Sequence, residues 1–236
     1  MSARSPSNAP SLQHLVAVLD PTSPDRTAKA IIRLRDGGGG TVRVFEAREY
    51  VGLSVSGEYD RCWIERQAQR IPNVHLRATA LECIPLAYDL KEQLGIRWFR
   101  KIEPQVLPFT QSVNIPINPL GVVGTDEKTY VLWPQVWKRK TLTAPQFNLA
   151  CGIMKRRLIN TNPDFDDLAW AEMSAPGGGN RELQLRTLEA ASLPSDEEMR
   201  TAAETLDAAM MIANAVPRKG RPQRPKSDRN QKPFDF

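Results

Sequence analysis

The sequence predicts an α/β fold in which a mixed sheet carries helices on its faces. Three observations support this class. Candidate strands fill the first fifty residues of the chain, helical and extended patterns alternate through its middle, and two helical segments follow near the carboxyl end. Such a mixture is typical of a sheet covered by helices. The first strands follow one another closely enough to form an antiparallel meander.

The amino-terminal part of the body is predicted to form three strands. HLVAVLD (14–20) is a short apolar run that ends in a carboxylate, and the run predicts a buried strand. AKAIIRLRD (28–36) and TVRVFEAREYVGL (41–53) alternate well enough for two more strands, and the four glycines 37–40 link them as a hairpin. A phosphate-binding loop is rejected here because no GK[ST] follows the glycines and because they lead into a strand.

The middle of the chain is predicted to alternate between helix and strand. Asp60 caps the first helix and Pro72 ends it, while Gly95 closes the second helix. The predicted elements are a helix over 61–71, a strand over 73–79, a helix over 85–94 and a strand over 96–102. Residues 103–129 contain four prolines and are assigned no element.

The carboxyl-terminal half is predicted to be mostly helical. YVLWPQVWK (130–138) is strand-like, and Thr143 caps a helix over 144–158. After the glycine-bearing segment 174–180, two helices are expected, RELQLRTLEAA (181–191) and a long one over 195–216. Ser195 and Glu198 have the spacing of a capping box at the start of the long helix. Its apolar stripe should pack on the body.

The charge distribution divides the chain into a body and a tail. Residues 1–12 are rich in Ser, Pro and Asn and form a predicted disordered segment before an α/β body over 13–216. Residues 217–236 carry seven basic side chains and two acidic ones, which accounts for the whole net charge of +5. With four prolines and few apolar residues, this tail cannot bury enough surface to fold alone. We predict a disordered basic arm that contacts phosphates.

Composition excludes several classes of protein. No stretch approaches the roughly 18 apolar residues of a membrane span, and the first residues, MSARSPSNAPS, lack the apolar core of a secretory signal. We therefore expect an intracellular protein, cytoplasmic or nucleoid-associated, with no membrane partner. Three cysteines far apart argue against a disulfide scaffold and a paired-cysteine zinc site, and two histidines argue against a His-rich metal cluster or a serine triad. Any catalysis should rest on carboxylates.

Two segments at opposite ends of the body resemble a known family. LVAVLDPTSPDRTAKAII (15–32) and ETLDAAMMIANAV (204–216) resemble the first strand and closing helix of ribonuclease H-like nucleases, and most closely the RuvC-like branch. PLAYDLKEQLGIRWFRKIEPQVL resembles the family's helix-then-strand unit, and KRKTLTAPQFNLACGIMKRRL resembles its next basic loop and helix. The resemblance covers much of residues 14–216 and implies a ribonuclease H-like fold.

The resemblance implies a metal-dependent endonuclease that acts on branched or structured DNA. Two Mg²⁺ ions would stabilise charge on the attacking and leaving oxygens. The implied catalytic and metal-binding residues are Asp20, Glu82, Glu204 and Asp207. The family pattern has a glutamate at or just after the fourth strand. Glu82 comes several residues later than this, and Arg77 lies nearer the expected position. Glu46 is a second candidate for this metal-binding glutamate. Resolvases generally act as dimers, so a homodimer is also implied.

An alternative remains open if these acids do not converge. The chain would then be a non-catalytic nucleic-acid-binding or scaffold protein, or an assembly protein whose basic arm binds nucleic acid. Basic residues within the body could contact the phosphate backbone, although charge runs at helix ends usually meet only water. These candidates are Lys138, Arg139, Lys140, Lys155, Arg156 and Arg157.

Two short patterns in the tail suggest partners. RKGRPQRPK (218–226) resembles an AT-hook, whose Gly-Arg-Pro core lies in the minor groove of DNA, although lysine replaces its usual first arginine. Its basic residues are Arg218, Lys219, Arg221, Arg224 and Lys226. The terminal QKPFDF resembles peptides that dock on bacterial sliding clamps, which implies a clamp or another protein as partner.

Overall fold

A computed structural model describes residues 7–36, 45–139 and 141–217 of the chain. The helices are α1 (Leu12–Val16), α2 (Pro24–Arg35), α3 (Phe45–Ser56), α4 (Arg61–Gln69), α5 (Val74–Leu94), α6 (Ala144–Met154), which continues as a π-helical turn (Lys155–Ile159), and α7 (Asp196–Ala215). The strands are β1 (Ser7–Asn8), β2 (Trp98–Lys101), β3 (Gln105–Pro108), β4 (Val113–Ile117), β5 (Gly121–Gly124), β6 (Thr129–Gln135), β7 (Asp167–Ser174) and β8 (Glu182–Arg186).

A five-stranded mixed sheet forms the centre of the fold. Its order is β2-β5-β6-β7-β8, so the strands are neighbours in the order in which they occur along the chain. Every pair is antiparallel except β6 and β7, which are parallel and are joined through α6. A smaller sheet has the order β1-β4-β3. The predicted α/β class is confirmed.

Helices cover both faces of the large sheet. Strand alternation places Val131 and Trp133 of β6 in one core and Leu132 in the other. On what we call the first face, the core is shared with α1, α2, α6 and α7. On the second face, it is shared with α3, α4 and α5. The sheet therefore separates two helical layers.

The predicted amino-terminal meander is wrong where the structure describes it. Residues 14–20 lie in α1 and the turn after it, residues 28–36 lie largely in α2, and residues 45–53 lie in α3. Helix α2 forms because the Ser23 hydroxyl caps its amino end, accepting a hydrogen bond from the Arg26 amide at 3.3 Å. Proline at the first helical position also favours the helix. The linking glycines 37–40 and residues 41–44 lie outside the described residues.

Two further segments also differ from prediction. Residues 74–79 begin α5 rather than forming a strand, because the Asn73 side chain accepts from the Leu76 amide at 3.0 Å and caps the helix. Residues 182–186 form the edge strand β8, paired with β7, instead of a helix. The unassigned region 103–129 supplies β3, β4 and β5. Strand β7 was not predicted.

The elements with clear sequence caps are confirmed. Asp60 accepts from the Trp63 amide at 2.8 Å and starts α4, and Gly95, with φ of 65°, ends α5. Ser195 and Glu198 form the expected capping box of α7, with contacts of 3.2 and 2.8 Å. Strands β2 and β6 and helix α6 also form where they were predicted. Among the described helices, none is both long and apolar enough to span a bilayer.

Candidate nucleic-acid interface

Asp20 organises a turn and does not end a strand. Its Oδ1 accepts from the Thr22 hydroxyl at 2.6 Å and the Thr22 amide at 3.0 Å, and Arg26 lies 3.5 Å from its Oδ2. The hydrogen bonds from Thr22, with a smaller contribution from the charge of Arg26, lower the pKa of Asp20. The carboxylate is thereby committed to the turn that precedes α2.

The two acids of the last helix have different environments. Asp207 Oδ1 accepts from the hydroxyls of Thr110 and Ser112, both at 2.6 Å, and so ties α7 to the turn between β3 and β4. Glu204 has a side chain that is 73% exposed, and its nearest cation is Arg200 at 4.0 Å. Asp207 therefore has a defined structural contact, and Glu204 faces solvent.

Glu82 lies on the second face of the sheet, in a network with two cations. Lys138 Nζ donates to it at 2.8 Å and Arg181 Nε at 2.7 Å. Arg181 also donates to the carbonyls of Val136 and Met173, at 2.9 and 2.7 Å. Partial burial raises the pKa of Glu82, but the hydrogen bonds and charges of the two cations outweigh it and hold this pKa below its usual value. The network joins α5 to the carboxyl ends of β6 and β7.

The four predicted acids are not brought together. Glu82 is separated from Asp20 and from α7 by the sheet, because α5 belongs to the other helical layer. Thr205 of α7 does reach the turn beside Asp20, donating to the Pro21 carbonyl at 2.9 Å. Asp207, two positions further on, lies about 200° around the helix and turns away. Across residues 7–36, 45–139 and 141–217, no group of three or more metal-binding side chains is found. Glu46 belongs to α3, in the layer of Glu82.

The body's predicted phosphate-binding residues are mostly engaged in structural contacts. Lys138 pairs with Glu82, as described above. Arg156 donates to the Pro194 carbonyl at 3.1 Å and pairs with Asp196 at 2.6 Å. Arg157 donates to the Phe109 carbonyl at 3.1 Å. Arg139 is exposed and Lys155 is half-buried, whereas Lys140 and the tail residues Arg218, Lys219, Arg221, Arg224 and Lys226 lie outside the described residues.

The sheet also contains a buried acid that sequence reasoning missed. Glu172 is 1% exposed and lies in β7 opposite Gln135 of β6. It accepts from the Ser174 hydroxyl at 3.0 Å, and Arg186 lies 3.7 Å from its other oxygen. Because strand β7 was not predicted, no sequence signal identified this residue as buried. That second oxygen, Oε2, is buried and has no hydrogen-bond partner among the described residues.

The exposed face of α2 carries a row of cations that the sequence interpretation also missed. Arg26, Lys29 and Arg33 are all exposed and lie three and four residues apart, so they share one side of the helix. Neither Lys29 nor Arg33 forms an ion pair with any residue in the described ranges. We call these three residues the α2 basic face. The spacing of these residues would have predicted a shared helical face, but residues 28–36 were predicted to form a strand.

Arg35, in the last turn of α2, contacts the end of α7 and lies about 200° around the helix from Arg33 of the α2 basic face. From the last turn of α2, its Nη1 donates to the carbonyls of Ala213 and Val216 at 2.8 and 3.0 Å, and its Nη2 to that of Pro217 at 3.4 Å. These carbonyls lie at the end of α7, where no basic side chain of α7 itself is present to satisfy them. Pro217 therefore lies beside the carboxyl end of α2.

Comparisons with protein-family models, with curated proteins and with solved structures found nothing that matches this chain. Its function is therefore inferred from its own charges and contacts.

Proposed function

We propose that this chain binds nucleic acid, with DNA as the expected partner, and that the α2 basic face and segment 217–236 contact the phosphate backbone together. The contact of Arg35 with the last residues of α7 is the observation that carries the proposal. It places Pro217, where a segment with a net charge of +5 begins, beside the carboxyl end of α2, the helix whose exposed side carries the three cations. Phosphate contacts give affinity and position without requiring a defined base sequence.

The location of the charge matters more than its total. Outside segment 217–236, basic and acidic residues balance, so the body as a whole has no net attraction for DNA. The α2 basic face is a local exception, since the exposed Lys29 and Arg33 have no carboxylate partner in the described part of the chain. A local cluster of this kind directs the bound strand to one side of the molecule.

The proposal adopts the non-catalytic alternative and not the metal-dependent endonuclease. Asp20, Glu82 and Asp207 each have separate hydrogen-bond partners, and Glu82 lies across the sheet from the other two. A ribonuclease H-like assignment would require Asp20 on a central strand, whereas it lies in a turn. The binding proposal does not depend on that assignment. The AT-hook, the clamp-docking peptide QKPFDF and the homodimer stay predictions from the sequence.

Binding is tested with two matched triple variants of the full chain. Arg26, Lys29 and Arg33 are changed to Gln in one, and the exposed Arg66, Arg70 and Arg100 are changed to Gln in the other. Both lose three charges, but only the first loses the α2 basic face. Fluorescence anisotropy with labelled duplex DNA should show the first variant weakened about tenfold or more and the second nearly unchanged. An equal loss of DNA affinity in both variants would contradict binding by the α2 basic face.

Catalysis is tested separately. Labelled junction, flap and duplex DNA are incubated with the full chain in Mg²⁺ or in EDTA, and no cleavage is expected in either. Mg²⁺-dependent cutting that is lost in both Asp20→Asn and Asp207→Asn would overturn the non-catalytic assignment and restore the endonuclease.

A further inference from the structure

Arg48 of α3 is a buried cation that forms no ion pair with a carboxylate of the described residues. It is 8% exposed, and its Nη2 donates to the Asn118 carbonyl at 2.6 Å. Its Nε is buried and has no hydrogen-bond partner among the described residues. Burial lowers its pKa to about 10, while the charge of Glu49 acts in the opposite direction, so the guanidinium is still charged at neutral pH. A buried, incompletely paired charge is costly unless another group compensates it.

The position of this guanidinium is fixed by its surroundings. Its Cζ lies 5.8 Å from the ring centroid of Trp133, within the range of a cation–π contact. The Trp133 ring is itself stacked on Trp170, with centroids 5.3 Å apart and planes 4° apart. With the Asn118 contact on another side, the guanidinium is held in place before any ligand arrives. Preorganisation of this kind lowers the entropic cost of binding.

Arg48 lines a cavity of about 240 Å³ where β2 ends and β5 begins. Lys101, at the end of β2, provides a second cation in its wall. Ile102, Pro119 and Leu120 give the cavity an apolar side. Two acids, Glu49 and Glu103, also line the cavity, and Glu49 pairs with Lys101 Nζ at 2.9 Å. The cavity therefore combines two cations and two acids with an apolar wall, and Arg48 is a lining cation that forms no ion pair with the described residues.

We propose that this cavity binds the phosphate group of a small phosphate-bearing molecule, with Arg48 and Lys101 as its charged contacts. A guanidinium matches the geometry of phosphate oxygens, and Arg48 has an N–H group without a hydrogen-bond partner among the described residues. The apolar wall gives room for a small body attached to the phosphate, and a duplex is too large for the cavity. The phosphate could come from a free phosphate ester or from the end of a nucleic-acid strand. The inference does not depend on the proposed function.

Glu49 gives the site a distinctive response to mutation. Its carboxylate lies in the cavity wall and contacts Lys101, where it opposes an entering anion and competes for the lysine. Removing its charge should therefore strengthen phosphate binding. Loss of either cation should weaken it. A site for a metal cation would show the opposite pattern at every one of these positions.

The test is a calorimetric titration of the full chain with inorganic phosphate. We expect saturable binding at one site, about tenfold weaker in Arg48→Met, weaker in Lys101→Met and severalfold stronger in Glu49→Gln. Lys101 is 61% exposed, so its variant keeps the test valid even if Arg48→Met does not fold. Arg97→Gln, at an exposed ion pair with Asp126 outside the cavity, is the matched control and should bind like the unmodified chain.

The source of the phosphate is distinguished with one oligonucleotide in two forms. A single strand with a 5′-phosphate should bind more tightly than its 5′-hydroxyl form, in an Arg48-dependent manner, if strand ends are the source. Equal binding of the two forms, with phosphate binding retained, assigns the site to free phosphate esters. The proposal is overturned if the unmodified chain shows no saturable phosphate binding at millimolar concentration, or if Arg48→Met and Lys101→Met both bind normally while folded.

Discussion

At the scale of single residues, Arg181 connects three elements through one side chain. Its side chain is 2% exposed and contacts Glu82 of α5 and the carbonyls of Val136, just after β6, and Met173 of β7. A shorter or uncharged side chain would leave these carbonyls and the carboxylate without their donor. Unsatisfied buried acceptors are costly, so this residue should contribute strongly to stability.

We predict that Arg181→Met lowers the free energy of unfolding by about 3 kcal/mol. Arg97→Met is the control, since its ion pair with Asp126 is exposed and should contribute less than about 1 kcal/mol. Urea denaturation followed by circular dichroism measures both, provided that the slope of the transition is unchanged. Equal destabilisation by the two substitutions would contradict the central position assigned to Arg181.

The network also predicts a pH dependence of stability. The folded-state pKa of Glu82 is lower than its ordinary value near 4.5, so its contribution is present above that value and is lost as pH falls through the depressed pKa. Glu82→Gln should therefore be less stable than the unmodified chain at pH 7. The gap between them should shrink below pH 4.5, as urea midpoints across the range will show. A difference in stability between the two chains that stays constant with pH would show that the charge of Glu82 is not its cause.

Residue-level sequence signals predicted some elements and missed others for identifiable reasons. Asp60, Gly95 and Ser195 act through contacts within a few residues of the chain, so their caps could be predicted. Ser23 and Asn73 are equally local caps, but each precedes a segment whose apolar spacing also fits a short strand. The partners of Asp207 are almost a hundred residues away, and no local pattern indicates them.

At the scale of elements, the pairing of β2 with β5 depends on the lack of a side chain at Gly121. A Cβ placed there would lie 2.5 Å from the Arg100 carbonyl oxygen and 2.5 Å from the Phe99 ring. The backbone oxygen cannot move without disturbing the ladder, in which Gly121 is paired with Lys101. The two strands would have to separate to admit even a methyl group.

Gly121→Ala should accordingly lower the free energy of unfolding by about 2 kcal/mol through overpacking. Gly177→Ala is the matched control, because nothing lies within 4 Å of a Cβ at that position. Thermal unfolding of both variants gives the comparison. If Gly121→Ala unfolds at the same temperature as Gly177→Ala, the close approach of β2 and β5 is incorrect.

Element identity also limited how much of the candidate site could be predicted. The three cations of α2 share one side only when residues 24–35 are helical, and a strand would place Arg26 on the side opposite Lys29 and Arg33. Similarly, Glu172 is buried because β7 lies inside the sheet, which depends on the parallel crossover through α6. The basic character of segment 217–236 could be predicted, since composition alone determines it.

At the scale of the whole molecule, the sheet divides the chemistry between two sides. The first-face layer contains α2, α7 and Pro217, where the basic segment begins. The second-face layer contains α3 and α5 with the Glu82 network, and Arg48 of α3 lies where β2 ends and β5 begins and contacts Trp133 of the first face. The proposed DNA-binding surface, formed by the α2 basic face and segment 217–236, and the proposed phosphate cavity therefore lie in different parts of the molecule. Variants of one should leave the other intact.

The salt dependence of DNA affinity tests the account most directly. The full chain, the chain ending at Pro217 and the Arg26/Lys29/Arg33→Gln variant are titrated with one duplex at several salt concentrations. Each phosphate contact contributes about 0.9 to the slope of log K against log salt. We predict a shallower slope for both altered chains, by about 1 to 3 for the triple variant and by more for the shortened chain. If both altered chains show the same slope as the full chain, phosphate binding by α2 and segment 217–236 is contradicted.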